Sequence, residues 1–123
     1  MSGENTRASE RVKVEAFVKV SGDDGHQEYV FRTRDLSAGG LFLFTRVSHL
    51  YPFFVGAPLH IELYDFDQTV ELKGLVVRIV QPGSPEAARY PSGFGVKIVE
   101  LDDQNRERLE RLIERAQRGE EIY

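Results

Sequence analysis

The 123-residue sequence predicts a mainly β domain, a six-stranded antiparallel β-barrel that carries one C-terminal α-helix. Six segments have the apolar and polar patterning of strands, and the connections between them are short enough for antiparallel pairing. A charged segment at the end of the chain has apolar residues at helical spacing instead. We favour a closed or nearly closed barrel over an open sheet, because closure removes exposed strand edges.

The first three strands are predicted within the first 47 residues. Residues 12–20, "VKVEAFVKV", place valine or alanine at every even position, which is typical of a half-buried strand. Residues 28–35, "EYVFRTRD", resume an extended pattern after the turn-rich "SGDDGHQ", so the two segments form a predicted hairpin. Residues 41–47, "LFLFTRV", begin with four large apolar residues, which indicates a strand buried on both faces or a strand inside a barrel.

A loop rich in aromatic residues precedes the second hairpin. Its sequence, "SHLYPFFVGAP" at residues 48–58, contains two prolines and a glycine. We expect this loop to fold over one end of the barrel, with Phe53 and Phe54 buried. The hairpin itself follows, with its turn at residues 65–67.

The second strand of this hairpin changes its apolar phase. Val70 and Leu72 occupy even positions, whereas Leu75 and Val77 occupy odd ones, and Gly74 lies between them. A β-bulge at or near Gly74 would absorb this change, because one extra residue moves the following side chains to the opposite parity.

The chain ends with a strand and a helix. Residues 93–101, "GFGVKIVEL", form the sixth predicted strand. The helix that follows can be capped by Asp102 or Asp103 and ended by Gly119. Its apolar stripe consists of Leu109, Leu112, Ile113 and Ala116.

The composition excludes several functional classes. The net charge of -4 at pH 7 argues against a protein that binds long nucleic acids, because that function requires a broad basic surface. A small anion held by a local basic cluster remains compatible with this charge. The sequence has no cysteine, which excludes disulfides and thiolate metal sites, and we expect a cytoplasmic protein. No apolar run reaches the length of a membrane span.

The sequence contains no catalytic or metal-binding pattern. His26, His49 and His60 share no ligand spacing, so we expect no metal ion and no other cofactor. Ser37 lies in no G-x-S-x-G motif, and no histidine is tied to it by sequence context. We therefore expect a binding protein and not an enzyme.

Two short polar motifs remain to be explained. Arg7 and Arg11 form R-x-x-x-R before the first strand, and Asp35, Ser37 and Gly40 form D-x-S-x-x-G between the second and third strands. Taken separately, the arginines are typical of a solvated terminus and the second motif is typical of a turn. Their order and separation make a much more specific combined pattern.

In combination, the two motifs resemble the paired signature of the PilZ domain, a bacterial receptor for the second messenger cyclic di-GMP. The resemblance runs through nearly the whole chain: "DLSAGGLFL" enters a strand, Gly56 precedes the fourth strand, and "GFGVKIVEL" comes before a final helix. PilZ domains are six-stranded antiparallel split barrels with such a helix, so the resemblance implies the fold predicted above.

The resemblance implies that cyclic di-GMP binds Arg7, Arg11, Asp35, Ser37 and Gly40. An arginine fork suits the O6 and N7 edge of guanine, and a guanidinium can also stack on the base. The carboxylate of Asp35 suits the N1–H and N2–H edge, and the Ser37 hydroxyl suits a phosphate or a base. Gly40 would leave space for the ligand to approach the backbone.

We expect the chain to divide into a flexible arm (residues 1–11), the barrel with its helix (residues 12–119) and a tail (residues 120–123). The arm would close over the barrel rim when the nucleotide binds. Many nucleotide-binding members of the family have a further arginine directly before the arginine pair, but here that position is Thr6. This difference implies a lower affinity or a different number of bound nucleotides.

The resemblance also implies a partner, an unidentified effector protein that receives the signal from a monomer or homodimer. An alternative is a PilZ-like interaction module with weak or no cyclic di-GMP binding, which an exposed aromatic patch in residues 48–58 would favour. A third interpretation, an oligonucleotide-binding barrel, requires basic and aromatic residues interleaved on the strands, and the acidic balance disfavours it.

Overall fold

The computed structural model describes residues 12–22, 27–47, 51–64, 68–88 and 92–118. These ranges contain seven strands, one 3-10 helix (Pro85–Ala88) and one α-helix. The strands are β1 (Val12–Lys13), β2 (Phe17–Gly22), β3 (Glu28–Leu36), β4 (Gly40–Phe44), β5 (Pro58–Tyr64), β6 (Thr69–Val80) and β7 (Gly93–Glu100), and the helix is α1 (Asp103–Gln117).

Six of these strands form a closed antiparallel barrel. Their order around the barrel is β3, β2, β5, β6, β7 and β4, and β4 pairs with β3 to complete the ring. Strand β1 lies outside the ring and pairs with the end of β3. The predicted fold class, a mainly β six-stranded antiparallel barrel with a C-terminal helix, is confirmed.

The predicted first strand, residues 12–20, is interrupted in the middle. Its even-numbered residues are all buried, as expected, but the chain leaves the ladder at residues 14–16. Here the buried Thr33 hydroxyl of β3 replaces ladder hydrogen bonds: it donates to the Val14 carbonyl oxygen and accepts from the Ala16 amide. This side-chain bridge splits the segment into β1 and β2, although its apolar pattern is continuous.

The change of phase in β6 involves two bulges. The register between β6 and β7 shifts next to Gly74, as predicted, but the extra residue is Val99 of β7. Strand β6 therefore keeps its parity, and Val76 is buried. A second shift leaves Val77 as the extra residue of β6, and Val77 is 53% exposed. The expectation that Val77 follows the buried face is wrong for this reason.

Helix α1 begins at the predicted position and packs its predicted stripe on the barrel. Asp102 is the N-cap, and its carboxylate accepts from the Asn105 amide at 2.8 Å. This hydrogen bond, together with a second from the Asn105 side chain, holds the pKa of Asp102 below its usual value. The described helix ends at Gln117, and Gly119 lies outside the described residues. Leu109, Leu112 and Ile113 are buried, and Ala116 packs against them.

Side chains of α1 also hydrogen-bond to the barrel. Strand β6 begins at Thr69, but its pairing with β7 begins only at Lys73. The backbone groups that residues 69–72 turn toward this side therefore need other partners. The Asn105 side-chain oxygen accepts from the Glu71 amide at 2.9 Å, and Arg108 donates to the Thr69 carbonyl oxygen at 3.1 Å. Because α1 contacts both β6 and β1, we call this end of the barrel, with α1 and β1, the helix end.

The opposite end is filled by aromatic rings. The ring centres of Phe53 and Phe94 lie 5.4 Å apart, with an interplanar angle of 77°. Those of Tyr51 and Phe31 lie 4.8 Å apart. Edge-to-face and tilted pairs are favourable arrangements for such rings. We call this region the aromatic end. The expectation that Phe54 is also buried is wrong, because the chain turns after Phe53 and leaves Phe54 63% exposed.

Candidate functional site

Ser37 shapes the loop that joins β3 to β4. Its amide donates to the Gly40 carbonyl oxygen at 2.8 Å. Its hydroxyl accepts from the amides of Gly39 and Gly40, both at 3.2 Å, and donates to the Gly40 carbonyl oxygen at 3.3 Å. A hydroxyl offers one donor and two acceptor positions, so all three are used inside the loop. Ser37 is only 5% exposed and is part of the loop structure itself.

Asp35 lies just before the end of β3 and is half-buried. It pairs across the ladder with Phe42 of β4 on one side and with Lys13 of β1 on the other. The register of β3 and β4 is irregular between Thr33 and Asp35. Sequence reasoning missed Lys13 and Phe42 as neighbours of Asp35, because only the strand pairing brings these distant segments together.

The two glycines of the motif have different surroundings. Gly40 is buried and opens β4 opposite Lys97, so it belongs to the ladder. The Gly39 carbonyl oxygen accepts from the Ile98 amide at 2.9 Å, and a Cβ added at Gly39 would meet no atom within 4 Å. The open side of the loop therefore lies at Gly39, while the ligand clearance predicted for Gly40 stays a prediction.

Arg7 and Arg11 lie outside the described residues. The register of β1 is informative nonetheless, because Val12 lies opposite Leu36 and Lys13 lies opposite Asp35. Arg11 is bonded directly to Val12 in the sequence. The described chain therefore begins, at Val12, beside Leu36 of the D-x-S-x-x-G motif.

The outer surface of β3 adds positive charge near Asp35. The guanidinium carbon of Arg34 lies 5.7 Å from the ring centre of Phe44, and that of Arg32 lies 4.9 Å from the ring centre of Phe17. Both arginines are exposed, so their charges face solvent beside the motif. An acidic chain thus has a local basic surface of the kind that attracts an anionic ligand.

Histidine and carboxylate side chains are the usual metal ligands in a chain without cysteine. His60 lies in β5 and is half-buried, whereas His26 and His49 fall outside the described residues. Among the residues that the structure describes, no three His, Asp or Glu side chains are grouped so that they could hold a metal ion. Within the described helices, none is both long and apolar enough to cross a membrane.

Comparison with protein families gives one match. The family model described as the PilZ domain matches residues 5–115, which include both motifs and the barrel. No curated protein matches the chain.

Comparison with solved structures gives several barrels of the same kind. The PilZ domain of YcgR from Escherichia coli with c-di-GMP is 16% identical, with 92% of each chain covered and a TM-score of 0.71. The Bacillus subtilis inhibitor of motility MotI/DgrA is 17% identical, with 89% of this chain and 50% of that chain covered and a TM-score of 0.69. The K. pneumonia MrkH–c-di-GMP complex is 18% identical, with 93% and 54% covered and a TM-score of 0.66. The chain spans about half the length of MotI and MrkH, and these likenesses establish a shared fold.

Proposed function

The chain belongs to the PilZ domain family, and on that premise we propose that it is a cyclic di-GMP receptor that changes conformation on binding and signals to a partner protein. One observation supports the proposal: Val12, the residue that follows R-x-x-x-R in the sequence, pairs with Leu36 of the D-x-S-x-x-G motif. Family membership supports the ligand class, since structures of YcgR and MrkH contain c-di-GMP. In this proposal the chain is a binding module with no catalytic role.

Each motif residue has a proposed contact. Arg7 and Arg11 hold guanine edges and phosphates, and Asp35 accepts from the donor edge of a guanine. Ser37 acts first by holding the loop in shape, because its hydroxyl is fully used there. A direct contact between Ser37 and the nucleotide requires the exchange of one of these hydrogen bonds. The bond that the hydroxyl donates is the weakest of them, because its length of 3.3 Å exceeds the usual range for O–H···O bonds.

The free-energy terms explain why both motifs are needed. Ordering about five residues of the arm costs roughly 5–10 kcal/mol, at ~1–2 kcal/mol per residue. Micromolar affinity requires a net gain of about 8 kcal/mol. A bidentate base contact contributes about 1–3 kcal/mol and a stacked base about 1–3 kcal/mol. Neither motif alone supplies enough, so we propose that residues 1–11 close over the loop only with nucleotide present.

Calorimetric titration with cyclic di-GMP tests the receptor function. We expect a saturable isotherm for the wild-type chain that is lost in Arg11→Ala and in Asp35→Ala. Arg46→Ala and Asp103→Asn are matched controls, because both residues are exposed and lie outside the two motifs. A wild-type chain that gives no heat and no saturation would overturn the proposal.

Hydrogen exchange tests the closure of the arm. We expect the amides of residues 5–12 to exchange more slowly once cyclic di-GMP is bound, and those of the loop at residues 37–40 to be protected as well. Exchange in residues 5–12 that does not respond to saturating nucleotide would contradict arm closure, even if the titration showed binding.

A second candidate function is supported by the aromatic loop. An interaction module with weak or no nucleotide binding was expected to expose aromatic residues there, and Phe54 is exposed while Phe53 is not. The titration separates the two candidates, because the second one gives no saturable isotherm with cyclic di-GMP.

A further inference from the structure

A rigid turn presents two apolar residues at the aromatic end. The Ala57 amide donates to the Phe54 carbonyl oxygen at 2.8 Å, which closes a four-residue turn. Gly56 has a φ of 95°, as the third position of a type II turn requires. The turn is fixed to β6 by two further hydrogen bonds, from Gly56 to the Val76 carbonyl oxygen at 2.7 Å and from the Val76 amide to Ala57. Its first two residues, Phe54 and Val55, are exposed on this support.

The side chains on this turn form an exposed apolar patch with one residue of β6. Phe54 and Val55 are 63% and 61% exposed, and the bulged Val77, next to Val76, is also exposed. We call these three residues the apolar patch. Arg78 follows Val77 in β6, and Lys97 lies opposite Leu75 in the β6–β7 ladder, so these two exposed residues give the patch a basic border at Val77.

An acidic groove lies further along the same side of the barrel. It has a volume of about 550 Å³ and runs over the outer faces of β2, β5 and β6 to the start of α1. Its carboxylates outnumber its ammonium groups, and Leu101 adds an apolar wall. We call this surface the acidic groove; its charged lining includes Glu28, Glu62, Glu71, Glu100, Lys19 and Lys73.

The lysines of the groove already interact with its own carboxylates. Lys19 lies 4.0 Å from Glu28 and 3.9 Å from Glu62, and Lys73 lies 3.7 Å from Glu100. The Tyr64 hydroxyl and these two glutamates raise the pKa of Lys19. With Asp102 the lining has five carboxylates against two ammonium groups, so the groove keeps an excess of negative charge, which suits a cationic or basic-edged ligand.

The apolar patch and the acidic groove occupy opposite ends of one continuous sheet face. Along β5 and β6, Glu62 pairs with Glu71 in the groove, and Pro58 pairs with Leu75 near the turn. From Glu71 to Val77 the face extends roughly 20 Å, at about 3.3 Å per residue. A two-fold axis perpendicular to this face, between the patch and the groove, would place the patch of each copy over the groove of the other. The dimer would then contain two identical contacts.

We propose that this chain forms a two-fold symmetric dimer in which the apolar patch of each copy docks into the acidic groove of the other. Charge complementarity between the basic border and the groove sets the partner and the orientation. The groove volume lies within the range that accommodates a compact ligand, so it can receive an aromatic side chain. Because the patch is held on a hydrogen-bonded turn, docking orders little new backbone. The two-fold arrangement closes on itself and does not propagate into filaments.

Sedimentation of the purified chain without nucleotide tests the dimer. We expect a concentration-dependent dimer that weakens as salt rises, because salt screens the charge contacts. Phe54→Ser and Glu71→Lys should each raise the dissociation constant at least tenfold, the scale of a central interface residue. Glu114→Lys is a matched control that reverses an exposed charge of α1 outside the patch and the groove, and it should not change association.

Mixing the two variants makes the test specific to the proposed contact. Phe54→Ser keeps an intact groove and Glu71→Lys keeps an intact patch, so a mixed dimer has one complete contact that neither homodimer has. We expect the mixture to associate more tightly than either variant alone. A wild-type monomer at all concentrations, loss with Phe54→Ser but not with Glu71→Lys, or a mixture no tighter than its components would each overturn the proposal. Circular dichroism of each variant checks that it is folded.

Discussion

The helix end and the aromatic end of the barrel are closed by different kinds of contact. At the helix end, aliphatic residues of α1 enter the core while Asn105 and Arg108 bond to the backbone of β6. At the aromatic end, rings such as Phe53 and Phe94 pack edge to face. The candidate site lies at the helix end, since β1 contacts α1 and pairs with β3 beside the motif. We infer that the buried rings of the aromatic end serve stability and that nucleotide binding concentrates at the helix end.

The largest effect is expected from removing a ring at the aromatic end. Phe94 is fully buried and contacts Phe31, Tyr51 and Phe53. Phe94→Ala should lower the free energy of unfolding by about 3–5 kcal/mol, as measured by urea denaturation. Phe54→Ala is the control at a chain concentration low enough for every variant to be monomeric, because its exposed ring should then cost less than about 0.5 kcal/mol. A similar loss in the free energy of unfolding for the two variants would contradict the conclusion that Phe94 belongs to the buried ring cluster and Phe54 does not.

A comparable truncation at the helix end should affect binding as well as stability. Leu112 is fully buried beneath α1, so Leu112→Ala should cost about 2–5 kcal/mol on unfolding. If the two ends differ in function, Leu112→Ala should also weaken cyclic di-GMP binding under conditions where both variants stay folded, whereas Phe94→Ala should not. Titration of both variants at low temperature checks this. Equal binding losses would remove the functional distinction between the ends.

A smaller effect is expected from the polar contact at the helix end. Asn105→Ala removes the acceptor of the part-buried hydrogen bond from the Glu71 amide, which should cost about 0.5–1.5 kcal/mol. Hydrogen exchange should show the Glu71 amide opening faster, with little change at the aromatic end. Gln104→Ala, an exposed neighbour on the same helix turn, serves as control. Unchanged exchange at Glu71 would mean that the Asn105 bond does not hold the helix to β6.

The smallest effect is a pH dependence at the start of α1. The pKa of Asp102 in the folded chain lies below its usual value of 3.8, because the Asn105 amide and side chain bond to the ionised carboxylate. A lowered folded pKa stabilises the fold above the unfolded pKa, and this contribution is lost as pH falls through the folded pKa. The wild type should therefore be more stable than Asp102→Asn at pH 7, and the difference should shrink toward pH 2. Thermal unfolding at the two pH values measures it, and a difference that stays constant would refute this origin.

The aromatic loop shows where sequence reasoning failed. The pattern of residues 48–58 predicts a loop over the barrel end, and Tyr51 and Phe53 do pack there. The pattern does not distinguish Phe53 from Phe54, because both are adjacent and equally apolar. Only the hydrogen bonds of the turn to β6 decide that one ring enters the core and the other faces solvent.

The break between β1 and β2 and the bulges of β6 and β7 also depend on contacts with a second strand. Alternation in residues 12–20 correctly predicts which side chains are buried, but Thr33, distant in sequence, interrupts the ladder. The phase change in β6 correctly predicts a register shift at Gly74, yet the extra residue there belongs to β7. Bulges involve two strands, so one strand's pattern cannot assign the extra residue.

The sequence by itself determined the barrel with its helix, the buried stripe of α1 and the two motifs, because periodicity and capping are local properties of the chain. The tertiary structure alone decided that β1 lies beside β3 next to Asp35, that the Ser37 hydroxyl is used inside its own loop, and that an apolar patch and an acidic groove share one face. These features depend on pairings between segments that are far apart in sequence. Such pairings are selected by closure of the whole barrel, and no local pattern records them.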